Sequence, residues 1–277
     1  MNTKFESIGI QPVCEIARAA GAEILSIYES NFGFETKGDG SPLTLADQNA
    51  HTLIEARLKV LTPDIPVLSE ESIDEVGDLR LKWSRYWLVD PLDGTREFIK
   101  RNGEFTVNIA LIDKGRPRMG VVYAPVPDSL YFAISGQGAY KQIAGSAPER
   151  IYTRALDPER LEVVASRSHL SDKVEQFVAS LEEYAGSVTL ISMGSSLKLC
   201  LVAEGRADVY PRLGLTSEWD TAAAQCVVEA AGGKVIDCQA RVLRYGKENI
   251  LNPWFIAVAD TRINYDCEGI RASHMNT

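Results

Sequence analysis

The sequence lacks long apolar runs, paired cysteine motifs and an excess of basic residues. Nowhere do ~18 apolar residues follow one another, and residues 1–10 lack a basic stretch followed by an apolar one. We therefore expect a cytoplasmic protein that does not span a membrane. The cysteines are odd in number and form no Cys-x-x-Cys pair, which predicts reduced structural thiols rather than a disulfide framework or a zinc site. They are Cys14, Cys200, Cys226, Cys238 and Cys267.

The charge balance restricts the partners. The 29 basic and 38 acidic residues give a formal net charge of −9. Such a protein repels polyanions, so a general basic surface for nucleic-acid polymers or acidic membranes is not expected. A small anionic ligand remains compatible with this charge, provided that basic side chains gather locally. The 277 residues, 45% of them apolar, suffice for one large domain or two modest ones.

The N-terminal part predicts helices packed on a largely antiparallel sheet. Apolar residues recur at three- and four-residue steps over residues 13–28, which is typical of one helix face. Thr44 and Asp47 have capping-box spacing and open a second helix, which Thr62-Pro63 ends. Short β-rich runs follow between residues 67 and 134, with turn residues between several of them.

The C-terminal part alternates predicted strands and helices from residue 161, which is typical of an α/β unit. We place a soft boundary in the polar stretch of residues 145–160. The sequence then divides into an α+β half, residues 1–150, and an α/β half, residues 151–277. A helix is predicted over residues 221–231 with Asp220 as its N-cap, and Gly232-Gly233 ends it.

The most informative segment is Asp90-Pro-Leu-Asp-Gly-Thr95, which follows an apolar strand. Pro91 is expected to stop that strand, so that Asp90 and Asp93 turn towards the same side of its tip. Gly94 allows a ligand to approach the backbone closely. The backbone N–H groups after Gly94 are donors suited to a phosphate.

Glu70-Glu71 after a short strand and Asp220 at a helix start are further acidic signals. Taken singly, each has an ordinary explanation: a capped turn, a solvated pair and a plain N-cap. Taken together, they suggest that these carboxylates lie close to one another in the folded protein. Each like-charged pair ~5 Å apart would cost about 3 kcal/mol at an effective dielectric of 20, so the cluster makes sense only around cations. Ligands that are all oxygen favour Mg²⁺ or Mn²⁺ over zinc.

Three other kinds of site have acidic residues in a similar segment. An EF-hand loop counted from Asp90 fails, because Gly94 falls at position five and Arg101 at position twelve. A haloacid-dehalogenase-type phosphatase requires Asp-x-Asp-Gly-Thr, whereas two residues separate Asp90 from Asp93, which weakens that interpretation. A non-catalytic, metal-dependent nucleotide sensor fits the same acidic residues. Spacing leaves the last two open.

The acidic segments resemble the inositol monophosphatase superfamily of lithium-sensitive, Mg²⁺-dependent phosphatases. The resemblance runs along nearly the whole chain and implies a layered αβαβα sandwich. Other segments are similar to the bacterial 3′(2′),5′-bisphosphate nucleotidases of the CysQ type. These are residues 97–106, Ser-Arg-Ser-His at 166–169, Gly-Ser-Ser-Leu-Lys at 194–198 and residues 208–212.

This resemblance implies metal-ion catalysis without a covalent phosphoenzyme. It places roughly two or three Mg²⁺ ions in the site, with Mn²⁺ as a substitute. Thr95, paired with Asp47, would help Glu70 orient the attacking water. The implied metal ligands are Glu70, Asp90, the carbonyl of Leu92, Asp93 and Asp220.

The same resemblance implies a bisphosphorylated nucleoside as substrate. The expected reaction is hydrolysis of adenosine 3′,5′-bisphosphate to AMP, with 3′-phosphoadenosine 5′-phosphosulfate as a further substrate, in sulfur assimilation. An inositol- or sugar-phosphate phosphatase is the alternative. Arg can bind the second phosphate through a two-pronged fork while Lys adds a point charge. The implied substrate-binding residues are Gly94, Thr95, His169, Ser195, Lys198, Arg212 and Asp220.

The sequence leaves the assembly open. It is compatible with a homodimer and with weak peripheral association at the cytoplasmic face of the inner membrane, although it contains no amphipathic basic helix that would explain the latter.

Overall fold

The computed structural model describes residues 8–30, 33–36, 42–166, 171–262, 265–267 and 269–270. Two helices lie near the start of this part of the chain: α1 (Gln11–Tyr28) and α2 (Leu45–Leu61). The predicted capping box of Thr44 and Asp47 opens α2, and Thr62 ends it, as expected. Each helix buries one apolar face, although Leu45 and Val60 of α2 are exposed.

A seven-stranded sheet forms the centre of the N-terminal half, and its strands follow chain order. The first pair is parallel and all other neighbours are antiparallel. The strands are β3 (Val67–Ser69), β4 (Arg85–Asp93), β5 (Thr106–Asp113), β6 (Arg116–Ala124), β7 (Ser129–Ile134), β8 (Gly138–Ile143) and β9 (Glu149–Ile151). Before it, β1 (Phe34–Thr36) and β2 (Pro42–Thr44) form a separate antiparallel pair.

Short helices connect parts of the first sheet. They are a 3₁₀ turn over Glu70–Ser72, α3 (Ile73–Val76), a 3₁₀ helix over Gly77–Lys82 and α4 (Thr95–Ile99).

A second sheet of five strands has the spatial order β11-β10-β12-β14-β13 and mixed directions. Its parallel neighbours are β10 with β11 and β10 with β12, whereas β14 runs antiparallel to β12 and β13. These strands are β10 (Leu161–Ser166), β11 (Val188–Met193), β12 (Val209–Arg212), β13 (Lys234–Asp237) and β14 (Phe255–Val258). The helices between them are α5 (Asp172–Glu182), α6 (Leu197–Ala203) and α7 (Glu218–Ala231). A two-stranded ribbon, β15 (Tyr265–Asp266) and β16 (Gly269–Ile270), packs on α5.

The elements stack in five layers. In order they are α1 with α2, the first sheet, α6 with α7, the second sheet, and α5. Three clusters of buried apolar side chains fill the spaces between these layers. The expected αβαβα sandwich is therefore confirmed. Among the described helices, none combines the length and apolar character needed to cross a bilayer.

Helix α7 lies against the first sheet because small residues face each other there. A Cβ added to Gly120 on β6 would come within 2.2 Å of the carbonyl oxygen of Ala223. Ala222, Ala223 and Ala224 on the helix are all buried. This close approach brings the N-terminal end of α7, which belongs to the C-terminal half, to the end of strand β4 in the first sheet. The predicted boundary near residue 150 lies at β9, and the division into two halves stays a prediction.

The prediction of reduced cysteines is wrong for one pair. Cys238 and Cys267 form a disulfide, with their Cα atoms 5.0 Å apart, whereas Cys14, Cys200 and Cys226 are free and buried. The two bonded residues are 29 positions apart in sequence. Cys238 follows β13 and Cys267 lies between the strands of the C-terminal ribbon, so only the tertiary fold brings them together.

In oxidised protein, Cys238→Ser should lower the free energy of unfolding by about 3 kcal/mol. The bond closes a loop across 29 positions, which restricts the unfolded chain. Urea denaturation with and without a reductant measures the effect. Reductant should lower the free energy of unfolding of the wild type to that of the variant, and it should leave the value for the variant unchanged. Identical midpoints for both proteins under oxidising conditions would contradict this account.

Candidate functional site

The end of strand β4 carries Asp90 and Asp93. The expectation that Pro91 stops the strand is wrong: β4 continues to Asp93, and its register against β5 shifts between the two aspartates. In a regular strand, residues three positions apart point to opposite faces. An irregularity in the ladder re-aims the side chains, and proline is tolerated at such a point. Both carboxylates can therefore reach the same side.

Asp220 comes from α7, in the other half of the chain. The prediction that it is the N-cap is wrong, because the helix begins at Glu218 and Ser217 occupies the N-cap position. Asp220 is the third helical residue, and its Oδ2 accepts the backbone N–H of Ser217 at 2.9 Å. Ser217 and Asp220 thus form a capping box, which keeps the carboxylate at the positive end of the helix.

The structure brings three of the predicted metal ligands together. One oxygen from each of Asp90, Asp93 and Asp220 lies within 4.8 Å of the corresponding oxygens of the other two. Glu70 begins the 3₁₀ turn after β3 and is outside this three-carboxylate group, although its charge acts on two of its members. We call Asp90, Asp93 and Asp220 the acidic cluster.

Burial and mutual repulsion oppose full ionisation of this cluster. Asp90 is 1% exposed, and its burial raises its pKa well above the usual value, with Glu70 and Asp93 adding repulsion. The pKa of Asp220 rises to about 8, again through burial first and then through Asp93 and Glu70. A divalent cation would neutralise such a group, and carboxylate oxygens suit hard cations better than zinc. The donor set therefore fits the metal dependence of the family it resembles.

Asp47 and Thr95 lie beside the acidic cluster. The Oγ1 of Thr95 is 3.3 Å from Asp47 Oδ1 and 3.3 Å from the carbonyl oxygen of Leu92. The other oxygen of Asp47 accepts both the backbone N–H and the hydroxyl of Thr44, at 2.7 and 2.6 Å. The capping box of α2 thus holds Asp47 in place, and the predicted contact between Asp47 and Thr95 is present.

A cavity of ≈ 170 Å³ opens from the acidic cluster towards the C-terminal half. It contains six of the predicted site residues: Asp93, Gly94, Ser195, Lys198, Arg212 and Asp220. The additional lining residues are Arg96, Glu97, Gly194, Ser196, Leu199, Tyr210, Thr216, Thr221 and Phe255. Gly94 has φ +92°, and a Cβ there would come within 3.3 Å of the Ser195 Cβ.

Three basic side chains line this cavity together with Asp93 and Asp220, and two of them, Lys198 and Arg212, are predicted site residues. Lys198 is 7% exposed, and its Nζ donates to the carbonyl oxygen of Ser195 at 2.6 Å. Burial lowers the pKa of Lys198 to about 8, while Asp93 partly opposes the shift. Arg212 donates through one terminal nitrogen to the carbonyl of Leu215 at 2.7 Å, and its buried Nε has no hydrogen-bond partner among the residues that the structure describes.

Of the predicted substrate-binding residues, His169 lies outside the described part of the chain, with the rest of its motif after Ser166.

Sequence reasoning overlooked two buried polar residues at the site, Asn108 and Ser196, which are 1% and 3% exposed. Ser196 donates to Asp93 through both its backbone N–H and its hydroxyl. A signal existed for each residue. Asn108 interrupts the apolar run of β5, and Ser196 lies within the Gly-Ser-Ser-Leu-Lys segment.

Comparison with known proteins identifies the family. The model of the "Inositol monophosphatase family" matches residues 9–268. The chain belongs to the inositol monophosphatase family. The chain is 50% identical to the 3′(2′),5′-bisphosphate nucleotidase CysQ of Salmonella typhimurium, over 89% of this chain and 98% of the relative. The Escherichia coli K12 protein of the same name is also 50% identical, with the same coverage.

A solved structure supports the same assignment. CysQ from Bacteroides thetaiotaomicron, described as a bacterial member of the inositol monophosphatase family, superposes with a TM-score of 0.79 at 46% identity. The match covers 90% of this chain and 96% of that chain.

For this family member, stability without metal should fall between about pH 5 and pH 8. Asp220 loses its proton near its ordinary pKa of 3.8 when unfolded but near 8 when folded. Because the folded state then binds more protons, raising the pH favours unfolding. Melting temperatures in EDTA at both pH values measure how steeply stability falls with pH. Mg²⁺ should reduce this dependence, and Asp220→Asn should make it shallower. A wild-type slope that is flat, or unchanged in Asp220→Asn, would contradict this prediction.

Proposed function

We propose that the protein is a Mg²⁺-dependent 3′(2′),5′-bisphosphate nucleotidase that hydrolyses adenosine 3′,5′-bisphosphate to AMP and phosphate. The observation that carries this proposal is one cavity that brings Asp93 and Asp220 of the acidic cluster together with Lys198 and Arg212. The name shared by the 50%-identical relatives supports this substrate. The enzyme would also accept 3′-phosphoadenosine 5′-phosphosulfate, which presents the same 3′-phosphate.

The acidic end of the cavity would hold the cations. Asp90, Asp93 and Asp220 would bind them, together with Glu70 and the carbonyl of Leu92. When bound, Mg²⁺ or its substitute Mn²⁺ supplies charge neutralisation for the phosphoryl oxygens and activation of a water molecule.

The protein's own contribution to hydrolysis begins with Asp47. Its Oδ2 is occupied by Thr44, so its Oδ1 is the oxygen available to the Thr95 hydroxyl, 3.3 Å away. If Thr95 donates its single proton to Asp47, its lone pairs remain to accept a hydrogen bond from the attacking water. Glu70 would hold the same water from its other side. Attack forms one P–O bond while the bond to the ribose oxygen breaks, and a proton passes to that ribose oxygen.

The basic end of the cavity would select the substrate. A second phosphate carries up to two negative charges, and Lys198 is protonated at neutral pH because its pKa is about 8. Arg212, anchored at one nitrogen by Leu215, presents its remaining donors to the phosphate. Gly94 and Ser195, with Asp220 and the predicted His169, would position the rest of the nucleotide.

An inositol or sugar monophosphate offers no second phosphate to Lys198 and Arg212, which is why we favour the nucleotide. A cytoplasmic location, a homodimer and weak peripheral membrane association stay predictions.

Replacement of Asp90 tests the metal-dependent reaction. Asp90→Asn keeps the shape of the side chain but removes the charge at the most buried position of the cluster, so kcat should fall by about 100-fold or more. Phosphate release from adenosine 3′,5′-bisphosphate with Mg²⁺ is the measurement. Asp128→Asn is the matched control, because Asp128 pairs with Arg18 at a remote turn. Undiminished turnover in Asp90→Asn would rule out this mechanism.

Replacement of Lys198 tests substrate choice. A hydrogen bond to a charged group contributes about 1.5–3 kcal/mol, so Lys198→Ala should lower kcat/KM for the bisphosphate about 10- to 100-fold. The value for inositol phosphate should change by less than about 3-fold, because that substrate lacks the second phosphate. Lys59→Ala, at an exposed helical pair with Glu55, is the control. Equal losses on both substrates would instead place Lys198 at the cleaved phosphate.

A further inference from the structure

A chain of buried polar groups runs from strand β5 to the acidic cluster. Thr106 Oγ1 donates to Asn108 Oδ1 at 3.0 Å, and Asn108 Nδ2 donates to Ser196 Oγ at 2.9 Å. Ser196 Oγ lies 2.8 Å from Asp93 Oδ2, and the Ser196 backbone N–H donates to the same oxygen at 2.6 Å. Thr106, Asn108 and Ser196 are each at most 3% exposed.

The directions of these hydrogen bonds follow from the groups themselves. An amide has one accepting and one donating end, and the Thr106 hydroxyl occupies the accepting end of Asn108. The donating end therefore points to Ser196, whose oxygen accepts that bond and keeps one proton to donate. Two acceptors compete for this proton: Asp93 Oδ2 and the carbonyl oxygen of Asp220, at 2.8 and 2.7 Å.

The charged acceptor, Asp93 Oδ2, forms the stronger hydrogen bond with the Ser196 hydroxyl. Hydrogen bonds to a carboxylate are roughly twice as strong as those between neutral groups. The carbonyl of Asp220 lies in the first turn of α7, where it can also accept an N–H from the next turn of the helix. Loss of the Ser196 hydroxyl would therefore weaken mainly the restraint on Asp93. Among the described residues, Asp93 would keep the Ser196 N–H at 2.6 Å and the long 3.4 Å contact from Asn108.

We propose that Ser196, oriented by Asn108, is a positioning residue that fixes Asp93 Oδ2 and so directs the other Asp93 oxygen towards the cation site. This inference rests on the metal-dependent part of the proposed function. Ser196 precedes α6 and belongs to the C-terminal half, whereas Asp93 and Asn108 lie on neighbouring strands of the first sheet. The hydroxyl thus joins ligands from both halves, because it touches Asp93 and the backbone of Asp220.

A purely structural role would give a different result. In that case, removing the hydroxyl would lower stability without changing how the folded protein binds a cation. In the positioning role, removing the hydroxyl would leave Asp93 less restrained, and cation affinity would fall in a protein that remains folded. Partners of this kind typically affect metal affinity by about 10- to 100-fold.

The test measures binding of Mn²⁺ to the full-length protein by calorimetry, without substrate, together with melting temperature in EDTA. Ser196→Ala should weaken Mn²⁺ binding by about 10-fold or more, and Ser196→Thr, which keeps the hydroxyl, should restore most of it. Asn108→Ala, which leaves the hydroxyl in place, should weaken binding by a smaller factor. Ser129→Ala is the matched control, because it removes another buried hydroxyl whose contact is the carbonyl of Pro127.

The outcomes separate this inference from the proposed function. A Mn²⁺ affinity of Ser196→Ala within about 2-fold of wild type would overturn the positioning role, even if the wild-type protein releases phosphate normally. If Ser196→Ala does not fold, the Mn²⁺ affinity of Asn108→Ala decides the question in the same way. Wild-type protein that binds Mn²⁺ but releases no phosphate would overturn the nucleotidase proposal alone. Wild-type protein that binds no Mn²⁺ would overturn both. If the wild-type protein is active, Ser196→Ala should also lower the activity, and excess Mg²⁺ should restore it.

Discussion

The mutual repulsion of closely spaced carboxylates is the constraint on which this structure depends. Three oxygens within 4.8 Å of one another belong to Asp90, Asp93 and Asp220. Each pair of charges at that separation costs about 3 kcal/mol at an effective dielectric of 20. The fold must bring these groups together against their repulsion and against the loss of hydration. Packing elsewhere in the sandwich has to supply the opposing free energy.

The layered architecture provides that packing on both sides of the seam. Strand β5 is buried along its whole length, with α1 packed on one face and α7 on the other. The close approach of Ala223 to Gly120 fixes α7 against this sheet. The packing of a helix, rather than a separate loop, therefore sets the position of Asp220. The register shift in β4 between Asp90 and Asp93 supplies the complementary pair of side chains.

Charge is distributed asymmetrically across the cavity. Asp93 and Asp220 line it from the end of β4 and the start of α7, whereas Lys198 and Arg212 come from α6 and β12. Burial acts on both groups, raising the pKa of Asp220 and lowering that of Lys198 to about 8. A phosphorylated ligand that binds with divalent cations places the cations at the acidic cluster and a phosphate at Lys198 and Arg212. This pairing explains how a protein of net charge −9 can accept a strongly anionic substrate.

Local sequence alone determined the elements whose signals are short-range: the capping box of α2, most strands of the first sheet and the acidic residues at strand and helix ends. It could not determine how the backbone deviates from regular geometry, as in β4 at Pro91, or that Ser217 caps α7 in place of Asp220. Nor could it place Cys238 beside Cys267, or Ser196 and Asn108 beside Asp93, because those contacts join residues far apart in the chain. Side-chain periodicity reports the face of an element, whereas the layers packed against that face decide which distant group it meets.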